Sequence, residues 1–374
     1  MKIAVDRNMP LAQEAFSTLG DVSVIDGRTL QPSDIQDIPI LGIRSTAKIT
    51  ADLLRNAAVQ FVGTATIGTD HMDIPYLEKH GITWMSAAGC NARSVAEYMT
   101  AALLHLAVTY DQPLRGQTLG IIGVGNVGKK VLVQAKALGM DVLLCDPPRA
   151  RAEGSDAFCD RETLLAESDF VTIHVPLLRE GPDQTYHMAD EAFFKSMKSN
   201  AFFINAARGA VVDTSALIQA LGTNRIRAAV IDTWEGEPEI SRELLDRVAI
   251  GTPHIAGHSF EGKVNGTIMV YEAACRFAQT SPSFDREAHM PPPPLPSTTY
   301  PNAKAPLQCL QELVARVYDI MQDDARLRGA SRKKQFDQLR RNYPIRREFA
   351  CTTVTDIGNN NLAEQVLALG FRLP

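Results

Sequence analysis

Short apolar runs recur at regular intervals through the first part of the chain: "KIAV", "VSVI", "IPILGI", "VQFVGTAT" and "ITWMSAA". Their length and β-branched content predict strands. Between them, "MPLAQEAFSTLG" and "TADLLRNA" have helical spacing, the second with Thr50 as its N-cap. Strands alternating with helices predict a parallel sheet covered on both faces. The stretch "SVAEYMTAALLHLAV", residues 94–108, is apolar on most faces and predicts a buried helix, expected between domains. A second α/β series follows in "TLGIIGVG", "DVLLCD", "DFVTIHVPL", "AFFINAA", "IRAAVID" and "VAIGTPHIA". Their nearly continuous apolar character suits central parallel strands. After a helix at "EGKVNGTIMVYEAACRFAQ" comes the proline-rich segment 282–304, whose "PPPP" rules out helix interior and central strand and predicts an extended linker. A proline-binding partner for that tract is the weaker alternative to a plain spacer. Residues 305–374 form a last domain with helical pattern and a strand-like "REFACTTVTD".

Composition changes this picture little. With 374 residues and a net charge of −5, nucleic acid is not the expected partner, because phosphate-backbone binding wants clustered positive surface. The chain reaches Asp6 too early for a signal-peptide core, and no apolar run approaches the ~18 residues needed to span a bilayer. The six cysteines are scattered without metal-ligand spacing, so we expect free thiols, a cytoplasmic protein and no metal.

The candidate chemistry begins at "GVGNVG", which follows a predicted strand and opens an amphipathic helix. Gly123 permits the tight turn, Gly125 lets backbone approach a pyrophosphate, and Gly128 lets helix and strand pack closely. The next strand ends on Asp146, 18 residues after Gly128. That carboxylate would accept from the ribose hydroxyls and repel a 2′-phosphate, favouring NAD over NADP, with Arg149 and Arg151 nearby as opposing charges. A nicotinamide enzyme also needs a group that moves a proton. Three candidates lie near strand ends: Arg208 in "NAARGAVVD", Glu237 in "VIDTWEGEP" and His254 in "TPHIAG". A guanidinium fork suits a carboxylate or polarised carbonyl. A histidine paired with a carboxylate has a fixed tautomer and a raised pKa, as acid–base work requires.

These motifs, in this order, resemble the D-isomer-specific 2-hydroxyacid dehydrogenase family over about residues 1–280. The resemblance implies two lobes of doubly wound parallel sheet, a Rossmann cofactor lobe at 94–255 and a flavodoxin-like substrate lobe at 1–93 completed by 256–281, with the ligands in the cleft. A small α+β dimerisation domain at 305–374 completes the expected α/β fold. It implies Arg208 as binder of the substrate carboxylate and carbonyl, His254 as proton donor and acceptor, and Glu237 as its partner. It also implies NAD contacts from Asn126, Val127, Ala206, Ala207 and Gly257, and a nicotinamide carboxamide contact from Asp232. His71 and His174 are given no role.

Within the family, "LGIRSTAKIT", "VGTATIGTDHMDIPYL" and a C-terminal domain carrying "YPIRREF" resemble members acting on a phosphorylated hydroxy acid. By that resemblance Ser45 and Thr66 touch substrate and the C-terminal domain forms a homodimer. Arg208 takes the carboxylate, so another cation must meet the phosphate: Arg44, or Arg346 and Arg347. After "HIAG" this subgroup should carry an aromatic hydroxyl. The chain has His258, whose imidazole is expected to donate in its place. The alternatives are a member acting on another acid such as 3-phosphoglycerate, and a non-catalytic NAD-sensing protein.

Overall fold

The five apolar runs of the N-terminal part are strands β1 (Lys2–Asp6), β2 (Asp21–Ile25), β3 (Ile40–Ile43), β4 (Phe61–Thr64) and β5 (Thr83–Ser86) in the computed structural model, which describes residues 1–154, 156–330 and 333–374. They pair in parallel in the order β2-β1-β3-β4-β5. Side chains alternate across the sheet. Ile3, Val5, Ile40 and Phe61 face one way with Phe16, while Ala4, Leu41, Ile43 and Val62 face the other with Ile35, Leu53 and Leu77. Each fully buried Phe or Ile stabilises by about 1.5–3 kcal/mol. The first face is covered by a helix from far along the chain, Phe260–Phe277, which places Val270, Tyr271 and Ala274 against it. Ser259 caps this helix by accepting from Gly262 N at 2.8 Å. Residues 1–92 and 258–292 therefore make one unit.

Residues 93–257 and 293–374 make the second unit. Its sheet contains β6 (Thr118–Ile122), β7 (Asp141–Cys145), β8 (Phe170–Ile173), β9 (Phe202–Asn205), β10 (Ala228–Ile231) and β11 (Ile250–Gly251), parallel, in the order β11-β10-β9-β8-β6-β7. Both sheets reverse strand order between their first and third strands, and such reversals are where ligands bind beyond the strand ends. The apolar helix Ala92–Thr109 is buried inside this unit. Tyr98, Met99, Leu103 and Leu106 share one cluster with Ile121, Phe170 and Phe202 of the sheet and with Leu310, Leu313, Phe349 and Phe371 of the C-terminal part.

That shared cluster also shows how the small C-terminal domain, within residues 293–374, packs with residues 93–257 into one unit. The proline-rich segment is not wholly a spacer: β12 (Ser297–Thr299) pairs in parallel with β13 (Thr353–Thr355). The strand starts immediately after the last proline of the run, and Pro296 still contributes its carbonyl, accepting from Thr353 N at 2.9 Å.

Candidate active site

The glycine loop sits at the strand-order reversal of the second unit. Gly123 has φ +90°, and a Cβ there would stand 2.7 Å from the His174 carbonyl oxygen, so only glycine fits. Gly125 is the N-cap of the helix Asn126–Ala137, which has no side-chain cap, and open space lies in front of it. N–H groups without a side-chain cap at a helix start, with room beside Gly125, fit the pyrophosphate of a dinucleotide. Opposite the loop, burial pushes the His174 imidazole down to about 3, so it is neutral at pH 7, and its Nε2 lies 3.1 Å from Thr172 Oγ1.

Asp146 closes β7 and accepts from Val124 N at 2.8 Å and from Arg149 N at 3.2 Å, capping the helix Pro147–Glu153. Arg149 is engaged: its Nε and Nη2 meet the Glu153 carboxylate at 2.7 and 2.5 Å, and its Nη1 donates to Val124 O at 2.7 Å. Arg151 pairs with Asp183 at 2.5 Å. Asp146 is thus held at the end of β7 by two backbone N–H groups, while both nearby arginines have other partners. Asp146→Ala is expected to lower the NAD over NADP ratio of kcat/KM by about tenfold or more, ~1.4 kcal/mol. An unchanged ratio in steady-state assays with each cofactor would refute the ribose role.

At the same rim, β9 delivers Arg208. Asn205, the buried last residue of that strand, accepts from Ala207 N at 3.0 Å and donates to Arg208 O at 3.1 Å and Thr233 O at 3.5 Å. It thereby ties the arginine loop to the loop that bears Glu237. Sequence reasoning missed Asn205; its signal was a polar residue ending the apolar run "FFIN". Arg208 Nη1 donates to Ala207 O at 2.8 Å. Glu237 Oε1 accepts from Trp234 N at 2.8 Å, and Oε2 lies 2.8 Å from His254 Nδ1. Burial alone would raise the Glu237 carboxyl, but His254 and the Trp234 N–H hold it below the usual carboxylate range. With Nδ1 on Glu237, Nε2 is the nitrogen left to serve a reactant.

His254 itself lies at φ +55°, a left-handed conformation rare for a non-glycine residue. Its N–H donates to Asp232 O at 2.8 Å and Thr252 O at 3.0 Å. The buried Asp232 carboxylate binds the same loop. Oδ1 accepts from Thr252 Oγ1 at 2.6 Å and Ile255 N at 2.8 Å, and Oδ2 accepts from Ala256 N at 3.0 Å. Expected as a nicotinamide contact, Asp232 is in this structure an organiser of the histidine loop, with one of a carboxylate's ~4 acceptor positions left over.

Arg346 and Arg347, the alternative phosphate binders, are buried in the second unit. Arg346 donates to Ala256 O at 3.2 Å and Ser94 O at 2.5 Å, and Arg347 Nη2 contacts Cys351 Sγ at 3.5 Å. The remaining candidates lie in the first unit. Arg44 and Ser45 follow β3, and Thr66 follows β4, whose end pairs with that of β3 at Ile43 and Thr64. Arg44 Nη1 donates to Asn8 O at 3.1 Å, across the strand-order reversal. Thr66 Oγ1 donates to Gly68 O at 3.2 Å and meets Thr64 Oγ1 at 2.8 Å. His258 immediately precedes the capping Ser259. A residue not foreseen is Lys263, in the first turns of the helix Phe260–Phe277. Burial and the charge of Arg44 push its ammonium down to about 8. Among the described residues, no group of His, Cys, Asp and Glu could hold a metal ion.

Residues 91–256 match the D-isomer specific 2-hydroxyacid dehydrogenase, NAD binding domain, and residues 289–370 match a domain of unknown function. The chain is 43% identical to an erythronate-4-phosphate dehydrogenase of Proteus mirabilis, covering 99% of each chain. It is 42% identical to one of Escherichia coli O9:H4, covering 99% of this chain and 98% of that one. A D-lactate dehydrogenase of Aquifex aeolicus, solved with NAD and lactic acid, aligns with TM-score 0.61 and 25% identity over 74% of this chain and 95% of its own. An NAD-bound 3-phosphoglycerate dehydrogenase of Entamoeba histolytica shares the fold, with TM-score 0.64 and 23% identity over 75% of this chain and 95% of its own. The chain belongs to the D-isomer specific 2-hydroxyacid dehydrogenases, in the group of the erythronate-4-phosphate dehydrogenases.

Proposed function

We propose that the chain oxidises the C2 hydroxyl of 4-phospho-D-erythronate to 2-oxo-3-hydroxy-4-phosphobutanoate, with NAD as cofactor, as a step of pyridoxal phosphate biosynthesis. The observation that carries this reading is the 2.8 Å pairing of Glu237 with His254 beside the Arg208 loop, in a chain matching curated enzymes of that name over nearly its full length. Bound at the Gly123–Gly128 loop and the helix start at Asn126, NAD would supply an acceptor for the C2 hydride. The work of the chain's own residues is complementary. Arg208 holds the substrate carboxylate and polarises the oxygen at C2. His254 Nε2 takes the hydroxyl proton as the C–O bond gains double-bond character. Glu237 then faces an imidazolium, and its carboxylate, held ionised, stabilises that charge. In the reverse direction the protonated His254 returns the proton to the keto oxygen.

The distal phosphate needs cations, and Arg44 with Lys263 is the pair we assign to it. Ser45, Thr66 and His258 are proposed as further substrate contacts. The cofactor contacts proposed are Gly123, Gly125, Asn126, Val127, Gly128, Asp146, Ala206, Ala207, Arg208, Asp232 and Gly257. We further propose a cytoplasmic homodimer joined through the C-terminal residues. The free state of all six cysteines supports the compartment. The exposed apolar side chains of Ile345 and Leu367 support an interface there. No described helix is long and apolar enough to cross a membrane.

The test is NAD reduction with 4-phospho-D-erythronate beside 3-phosphoglycerate, D-lactate and D-glycerate, read as a burst and in steady state so that slow release does not hide turnover. A kcat/KM advantage of about a hundredfold, ~2.7 kcal/mol, is expected for the erythronate phosphate. Turnover with another acid alone would keep the mechanism and discard the substrate.

A further inference from the structure

We propose that Arg346 is a positioning residue for the reaction: by holding the Ala256 carbonyl it fixes the turn that presents His254. This rests on His254 being the acid–base group. A left-handed non-glycine backbone persists only where its surroundings over-determine it. On one side the turn is held by Asp232, whose main chain accepts from His254 N and whose carboxylate accepts from Thr252, Ile255 and Ala256. Ala256 is gripped through both of its backbone polar groups, its N–H by Asp232 Oδ2 at 3.0 Å and its carbonyl by Arg346 Nη1 at 3.2 Å. Without the second grip, the loop after Ile255 keeps its donors satisfied and leaves a buried carbonyl unmet.

Arg346 is built for that task rather than for a ligand. It is 5% exposed, its Nη2 donates to Ser94 O at 2.5 Å, and its guanidinium lies over the Tyr318 ring at 3.9 Å. Asp323 stands behind, accepting from the Tyr318 hydroxyl at 3.1 Å and the Tyr343 hydroxyl at 2.7 Å. Both arms of the fork therefore end on backbone carbonyls, one of the helix Ala92–Thr109 and one of the histidine loop.

The segment that carries Arg346 has anchors of its own. Phe349 N donates to Glu97 Oε1 at 2.9 Å, Ser94 Oγ donates to Glu348 Oε1 at 3.0 Å, and Phe349 stacks on Phe371 with ring centroids 4.6 Å apart. Removing the guanidinium therefore leaves the segment docked, and its effect on the loop is separable from loss of the fold.

The experiment compares Arg346→Met, which removes every donor, with Arg346→Lys, which keeps the charge and one reach toward Ala256 O. We expect Arg346→Met to lower kcat by about 10- to 100-fold, with KM for the phosphorylated acid within about threefold and NAD affinity unchanged. Arg346→Lys should recover part of that loss. Amide exchange at Ile255 and Ala256 should quicken by about tenfold or more in Arg346→Met, while the amides of β6 stay protected. A kcat within about threefold of the unsubstituted enzyme would overturn the proposal, and so would a raised KM with kcat intact, which would return Arg346 to the phosphate. If Arg346→Met does not fold, the same two readouts in Arg346→Lys decide, because a single ammonium cannot span the Ala256 and Ser94 carbonyls as the fork does and must loosen the turn part-way; kcat and exchange both unchanged in that variant would overturn the proposal. If the unsubstituted enzyme turns over none of the acids, the exchange arm still tests the grip on the loop, so failure of the function and failure of the positioning role are told apart.

Discussion

His254→Ala is expected to lower kcat by about 10²- to 10⁴-fold, the usual contribution of a positioned general base, while NAD binds with unchanged affinity. The geometry behind this is specific. The imidazole is fixed through Nδ1 by Glu237, and Glu237 in turn by the Trp234 N–H, so a single nitrogen is presented to the reacting hydroxyl. The proposed pyrophosphate and ribose contacts lie on other elements, the helix start at Asn126 and the end of β7 at Asp146. Stopped-flow hydride transfer and NAD titration measure the two properties separately. Partial rescue of the Ala variant by added imidazole should follow, because the cavity left has the shape of the missing ring. Normal turnover in the variant would remove His254 from the mechanism, and with it the reason for the Glu237 pairing.

Arg208→Lys is the second large effect, with a loss in kcat/KM of about 10²- to 10³-fold. An ammonium is one point charge on a flexible stem, whereas the guanidinium presents a planar fork able to meet a carboxylate and polarise the adjacent oxygen together. The loop is fixed by Asn205, so a lysine there starts from the same backbone and fails only in its donor geometry. KM should rise because the carboxylate is held less well. The hydride-transfer rate should fall because the oxygen at C2 loses the donor that stabilises its developing charge. A change in KM alone would restrict Arg208 to binding.

Much of this was legible in the sequence. The short apolar runs named all five strands of the first sheet: β1, β3 and β4 are buried on both faces and need no polar alternation, while the more exposed edge strands β2 and β5 were still marked by their β-branched content. The glycine loop was legible because steric demands at Gly123 leave one residue type. The pairing of Glu237 with His254 was recoverable only through motif order, because the two stand on different loops and no local periodicity links them. The grip of Arg346 on Ala256 was not legible. "RREF" carries the signature of a solvated basic segment, and only the assembled fold provides the Tyr318 ring, the Ser94 carbonyl and the buried carboxylates that let a guanidinium sit inside. The pairing of β12 with β13 was hidden for a similar reason: prolines dominate the composition around a strand that begins just past them.

The first unit is not contiguous in the chain, and this has a consequence for its birth on the ribosome. One face of its sheet, with Ile3, Val5, Ile40 and Phe61, is covered by the helix Phe260–Phe277. Residues 93–257 are made in between, which at about 5–20 residues per second takes on the order of ten to thirty seconds. Through that interval a nascent parallel sheet leaves bare the part of this face that the helix Ala12–Ser17 does not cover. The N-terminal sheet therefore waits on the ribosome for its covering helix, while the second unit closes later still, when residues 293–374 have followed and filled its core.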